Sequence, residues 1–289
     1  MNPMIKRKTT TCLALAAAAL LGAAAPAQVL TNESVAISSG AGGGGGGAQT
    51  SCMIFSDGTS WSGGAVGVQG ASSVNDTGGS TAAANDAFKY SVGSVADSLN
   101  ATYGAGNWTI ANPELTFQYT LYANNPRFNA GAGTFSIYWM ANDSWVQGTA
   151  NPVYATTGAA LATWAGNASL LANETYTWST PGYTGTLADL HTSNWTTDSS
   201  GIRQATVSYG LALDPSFVTD ITSATAAADP NVSLYLMSTS ASLGLTIFTG
   251  GGQILPTLSF EVVPVPEPSV LAMSLSGLAL IATVRRWRK

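Results

Sequence analysis

The sequence predicts a mainly β protein: an antiparallel β-sandwich with one short helix, bracketed by an N-terminal signal helix and a C-terminal transmembrane helix. Three observations carry this. Short apolar/polar alternating runs recur from Trp108 to Val263, Gly- and Asn-rich turns separate them, and apolar runs flanked by basic residues occupy both ends of the chain.

The N-terminal end sets the compartment. Lys6, Arg7 and Lys8 precede an unbroken apolar run, Leu13 to Leu21, and Ala25-Pro26-Ala27 supplies the small-x-small pattern read by signal peptidase. Residues 1–27 are therefore expected to be a secretory signal peptide. Residues 28–50 follow as a Gly-rich flexible segment, with six consecutive glycines that pack no side chain. No Lys-Ser/Thr follows the glycines, so they do not form a phosphate loop.

Residues 51–263 are expected to form the ectodomain. From Cys52 to Lys89 the chain is polar, with two short apolar pieces, MIF and AVGVQ, read as short strands. Val92, Val95, Ala96, Leu99 and Tyr103 recur at helical spacing before Gly104, which predicts a helix over about 91–103. Next comes WTIANPELTFQYTLYA, placing Leu115, Phe117, Tyr119 and Leu121 on one face. GTFSIYWMA does the same with Phe135, Ile137 and Trp139. ETYTW, RQATVSYGLAL, NVSLYLMS, LGLTIFTG and PTLSFEVV complete the strand set. The absence of any fixed repeat argues against a solenoid or propeller.

Charge narrows the function. Between Gln28 and Pro266 the basic residues are Lys89, Arg127 and Arg203. They face fourteen carboxylates, so this region is near −11 at neutral pH. With no basic face to displace counterions from phosphates, nucleic acid is excluded as a partner. Cys52 is the one cysteine left after signal removal, so no intrachain disulfide forms. It reads as a buried or loop residue, an intermolecular bridge being the alternative.

Residues suited to catalysis are sparse. His191 is the lone histidine and lies in the polar stretch ADLHTSNW; no Gly-x-Ser-x-Gly elbow accompanies it. A single His with a single Cys does not make a closed zinc site. Four glutamates, Glu33, Glu114, Glu174 and Glu261, lie in the ectodomain, and the aspartates sit mostly in turn contexts. A facing carboxylate pair for glycoside hydrolysis is the least favoured of three readings. No cofactor is expected. Structural calcium at Asp57, Asp76, Asp86, Asp97 or Asp143 is the one metal reading, against turn formation as the ordinary role. For glycan binding the candidates are aromatic residues in polar loops: Trp145 in NDSWVQG, Tyr183 in STPGYTG and Trp195 in HTSNW. The competing role for these rings is to cover the core.

The block YGAGNWTIANPELTFQYTLYANNPRFNAGAGTFSIYWMANDSWVQGTANP, with SLYLMSTSASLGLTIFTG and PTLSFEVV, resembles the β-sandwich ectodomains of exported bacterial surface proteins. Some of these, named for an Asp-Asn-Arg-Leu-Arg-Glu motif, resemble jelly-roll carbohydrate-binding modules. That motif is absent here, so the resemblance implies a jelly-roll-like sandwich and no activity.

Residues 264–289 form a three-part tail: Pro266-Glu267-Pro268, the apolar run over 269–284, and a basic end with Arg285, Arg286, Arg288 and Lys289. Val270 to Val284 would span only ~22 Å as a helix, against a hydrocarbon core of ~30 Å. Length alone favours a buried helix. The cations at the exit favour a span held with its basic end in the cytoplasm, lengthened by snorkelling side chains. The two prolines keep the triplet extended.

In its ordered parts this tail resembles the PEP-CTERM sorting signal. The resemblance implies export, transient anchoring in the bacterial inner membrane through residues 269–284, and recognition by an exosortase-type membrane protease. Pro266, Glu267 and Pro268 would be the recognition element and Arg285, Arg286 and Arg288 the stop. Release to the cell surface or an exopolysaccharide matrix would follow. The expected role is non-enzymatic: structural or adhesive in biofilm exopolysaccharide, with a glycan-binding module as the alternative.

Overall fold

The computed structural model describes residues 33–38, 51–61, 65–71, 82–121, 132–146, 150–176, 195–197, 203–249 and 255–265. The signal peptide, the glycine run, Asp76, Tyr183, His191 and the tail from Pro266 onward lie outside these residues.

Among the described residues the protein is mainly β, with thirteen strands and three helices. The strands are β1 (Glu33–Ser38), β2 (Ser51–Phe55), β3 (Ser60–Trp61), β4 (Ala65–Gln69), β5 (Ala84–Ser91), β6 (Trp108–Leu121), β7 (Gly133–Met140), β8 (Ala168–Tyr176), β9 (Trp195–Thr197), β10 (Arg203–Gly210), β11 (Asn231–Ser238), β12 (Gly244–Phe248) and β13 (Thr257–Pro264). The helices are α1 (Gly93–Tyr103), α2 (Gly158–Ala165) and α3 (Pro215–Ser223).

Every strand pairing is antiparallel, and the thirteen strands form one continuous ladder that folds into two leaves joined through β12 and β4. One leaf runs β1-β13-β6-β10-β9, the other β3-β2-β5-β11-β7-β8. β4 and β12, distant in sequence but paired with each other, join the leaves, with ladder pairs of Gln69 with Ala84 on β5 and of Ile247 with Tyr119 on β6. Side chains of both leaves enter one core: Leu115, Phe117, Leu258 and Phe260 from the first, Phe88, Phe135, Ile137 and Leu234 from the second. Tyr209 on β10 ties them together, its ring 5.5 Å from Phe117 and edge-on to Phe135 at 5.4 Å. This arrangement fits a two-layer β-sandwich.

A second core lies on the outer face of β5, β7 and β11, where α2, Trp145, Tyr154 and Ala155 cover Cys52, Ala87, Met140 and Tyr235. β5 is consequently covered on both faces, and the polar Asn85 and Asp86 are buried within it. The Tyr235 hydroxyl donates to the Val153 carbonyl at 2.9 Å and accepts from the Ala155 N–H at 3.1 Å. Asn85 donates to both the Ala155 carbonyl and the Tyr235 hydroxyl. Together they hold the 153–155 segment against the sheet.

The strands expected from MIF, AVGVQ and the alternating runs all form, as does the helix, now α1. The fold adds the short strands β3 and β9, which the sequence does not mark, and departs from the expectation in three larger respects. Glu33–Ser38, expected within the flexible segment, is a strand paired residue for residue with β13. β5 forms where no strand is expected, because it is stabilised from both faces by partners distant in sequence. Two short helices are also additions: α2 starts at Thr157, whose side chain accepts from Ala160 N–H, and α3 at Asp214-Pro215. Pro113 is accommodated within β6 by a bulge: Asn112 and Pro113 together oppose Phe260, and Asn112 takes a φ of 47°, which Asn tolerates.

Candidate functional site

The glycan-binding candidates do not converge. Trp145 is 1% exposed; its indole N–H donates to Ser233 Oγ at 3.0 Å, and the ring packs in the outer core with Met140 and Tyr235. Its faces are covered by protein, so it takes the core role rather than offering a ring to a sugar. The backbone of Trp195 opens β9, and Tyr183 lies outside the described residues. Cys52 is fully buried, with its thiol pushed up to about 12 by burial and the nearby Asp86, an inert setting that offers no surface for an intermolecular bridge.

The candidate calcium ligands are dispersed. Asp57 accepts from the Thr59 N–H and hydroxyl at 2.9 and 2.6 Å, an Asx turn whose hydrogen bonds hold its carboxyl below the usual range. Asp97 on α1 accepts from the Ala226 N–H at 3.0 Å and anchors the 225–229 loop. Asp86 is sealed in the core. Among the described residues no three His, Cys, Asp or Glu side chains are disposed to hold a metal ion.

Among the described candidates Asp143 stands with other carboxylates, and its surroundings form the most chemically distinctive site described. Four pieces of chain meet at this end of the second leaf. β7 delivers Trp139 and, just beyond its end, the Asn142-to-Trp145 turn. β5 contributes Lys89, α3 contributes Asp220, and the loop before β11 contributes Asp229. Asn142 shapes the turn by accepting from Ser144 N–H at 3.1 Å and Ser144 Oγ at 2.8 Å. Lys89 Nζ donates to the Trp145 carbonyl at 2.8 Å and lies 4.4 Å from the Trp145 ring centroid. The Trp139 indole N–H donates to Asp220 Oδ2 at 2.6 Å.

The electrostatics follow from partial burial of like charges. Asp143 is raised to about 6 by burial first, then by the charge of Asp229 and a hydrogen bond with it, while Lys89 pulls the other way. Asp220 is raised to about 7, again by burial first; the Trp139 hydrogen bond opposes this and the charges of Asp229 and Asp143 add to it. Lys89 is lowered by burial, partly offset by Asp143. Two carboxyl groups therefore exchange protons near neutrality, and each can donate a hydrogen bond when protonated. Asp220 borders a groove of about 400 Å³ lined by Trp139, Pro215, Ser216, Thr219, Asp220 and Ser223.

Sequence reasoning misses this grouping. Asp229 reads as a turn residue and Trp139 as core, and Asp220 carries no signal until α3 is placed. The Asp-Pro-Ser start at Asp214 is the available clue, since it sets Asp220 on a helix. No protein-family model matches the chain, and no curated protein matches it.

Proposed function

We propose that this is an exported surface or matrix protein, delivered by a PEP-CTERM-type signal and serving a structural or adhesive role in exopolysaccharide. The sequence of the tail, Pro266-Glu267-Pro268, then the apolar run, then Arg285, Arg286 and Arg288, carries this reading. The fold is compatible with it. β13 is the last described strand and ends at Pro264, and the Val265 N–H donates to the Asn107 carbonyl at 2.7 Å, one residue before the triplet. A cut at the triplet would spare every strand named above. The jelly-roll-like form of the sandwich, the inner-membrane span over 269–284 and the action of signal peptidase and exosortase belong to the same reading. The acidic balance of the ectodomain suits a role outside the cell.

The intact mass of the protein recovered from the native host's medium or matrix tests this. Loss of residues 1–27 and of everything after about Pro268 is expected. A product retaining Arg285 to Lys289, or a protein confined to the cytoplasm, would overturn the sorting route.

Glycan binding is the second reading, moved from Trp145 to the groove beside Asp220. The observation favouring it is the groove's lining: three hydroxyl side chains and a carboxyl group held by an indole, a set that bonds sugar hydroxyls. Affinity electrophoresis through gels containing host exopolysaccharide, comparing the wild type with Asp220→Asn, separates the readings. Equal mobility with and without polysaccharide rejects the glycan site.

A further inference from the structure

Asp86 occupies the middle of β5 with no exposed surface, and neither of its carboxyl oxygens has a hydrogen-bond partner. Its ladder neighbours are Leu236 on β11 and Met53 on β2. Strand alternation puts its side chain on the same face as Phe88 and Tyr90, inside the main core, while Asn85 and Ala87 point to the outer layer. Asn85, one residue earlier, shows what a satisfied polar group looks like here: it donates to the Ala155 carbonyl and accepts from the Ser238 N–H at 3.1 Å. Asp86 has nothing equivalent.

The groups around Asp86 supply no positive charge. Tyr90, four residues along the same strand face, is fully buried with its hydroxyl unpartnered. Ser51 on β2 lies opposite Phe88, diagonal to both, and its hydroxyl is also unpartnered. Cys52 on β2 and Tyr235 on β11 lie on the opposite face of the sheet, and both are held uncharged by burial. Lys89 also lies on the opposite face, with its ammonium on the Trp145 carbonyl. A carboxylate in such surroundings is far costlier than a carboxylic acid. Burial accordingly moves Asp86 well above the ordinary carboxylate range; the adjacent Ala87 N–H is near enough to offset this in part but does not reach hydrogen-bond geometry.

We propose that Asp86 is a proton-held latch: the junction of β2, β5 and β11 closes around its uncharged carboxyl group and loosens when that proton is lost. The sign follows from linkage. Unfolded Asp releases its proton near pH 3.9. Above that pH the folded chain binds more protons than the unfolded one, so stability falls as pH rises, until Asp86 ionises in the fold as well. The fold tightens in acid and relaxes toward alkali.

The direct test is the carboxyl ¹³C resonance of Asp86 in the full chain, held in mild detergent and assigned through bonds from its own backbone, followed from pH 4 to pH 9. The expected result is a shift that stays at the protonated position through neutrality. An Asp86 resonance that titrates near pH 4 with the strands intact overturns the proposal. Urea unfolding of the wild type and Asp86→Asn gives the second measure. The wild-type unfolding constant should rise relative to the variant's by up to tenfold per pH unit above about pH 4. Parallel pH profiles would reject the latch. Should Asp86→Asn fail to fold, the wild-type titration decides alone.

Discussion

Lys89 and Trp145 are locked to each other twice: the Lys89 ammonium lies 4.4 Å from the centroid of the Trp145 ring and donates to the Trp145 main-chain carbonyl at 2.8 Å. The contact joins β5 to the turn after β7, across fifty-six residues of sequence. It also explains why a tryptophan in a polar stretch is buried. Lys89 seals one part of the ring and Ser233 takes its N–H.

Lys89→Met keeps the aliphatic stem but removes the donor and the cation. The Trp145 carbonyl loses a charge-assisted hydrogen bond and the ring its cation, which together should cost ~1–3 kcal/mol. Urea unfolding monitored by tryptophan fluorescence measures this. Lys89→Arg should recover part of the loss, because the guanidinium can still reach the carbonyl. If Lys89→Met unfolds at the wild-type midpoint, the pair contributes nothing to stability.

How far these features are legible depends on whether neighbours in sequence or neighbours in space decide them. β6, β7 and β13 are legible because their own alternation marks a buried face, and β11 because its apolar run is buried on both faces. β5 reads ANDAFKYS, and the polar Asn85, Asp86 and Lys89 hide it. The partners of Asn85 and Lys89, namely Ala155, Tyr235, Ser238 and Trp145, lie 56 to 153 residues away. The same holds for the acidic site. Asp143, Asp220 and Asp229 share no local pattern; the antiparallel pairing of β11 with both β5 and β7 gathers them at one end. The buried role of Trp145 is open in the sequence for this reason, since NDSW reads as a loop until Lys89 is placed beside it.

Gly93 begins α1 where the helix meets the 225–226 backbone. A β-carbon there would lie 2.6 Å from the Thr225 carbonyl carbon and 2.7 Å from the Ala226 nitrogen, both main-chain atoms with no side-chain freedom to yield. Gly93→Ala should therefore destabilise the fold by ~1–3 kcal/mol through forced separation of α1 from the loop, despite Ala's better helix propensity. Gly210→Ala is the control, since a β-carbon at that position would meet nothing within 4 Å and its φ is not left-handed. Thermal unfolding of the two variants side by side distinguishes close approach from a general intolerance of glycine replacement.

Asp214 caps α3 by accepting from the Ser216 and Phe217 N–H groups at 2.9 and 3.2 Å, with Pro215 in the first turn. Asp214→Ala should cost about 1 kcal/mol, and Asp214→Asn much less because its side-chain oxygen still accepts. α3 also carries Asp220 to Trp139, so fraying of its first turn should change the fluorescence of the folded state. A normal melt for Asp214→Ala would show that packing of Phe217 and Ile221 holds the helix without its cap.

The carboxyl trio gives a pH dependence of its own, separable from that of Asp86. Asp143 and Asp220 titrate in the fold at about 6 and about 7, both above the ordinary range of the unfolded chain. Each therefore contributes stability that is fully present below about pH 4 and is lost as pH rises through its folded value. Asp229 raises both, so Asp229→Asn should lower both titrations and flatten the stability profile between pH 4 and 7. At neutral pH the variant should be more stable than the wild type, by less than ~1 kcal/mol because these groups are partly exposed and screened by solvent. Asp86 is present in both proteins, so it cancels in the comparison. Raising the salt concentration should shrink the difference between them, since like-charge repulsion at a half-buried site is what Asp229 supplies. If the wild-type and Asp229→Asn profiles run parallel from pH 4 to 8, the three carboxyl groups are not coupled, and the raised values of Asp143 and Asp220 would rest on burial alone.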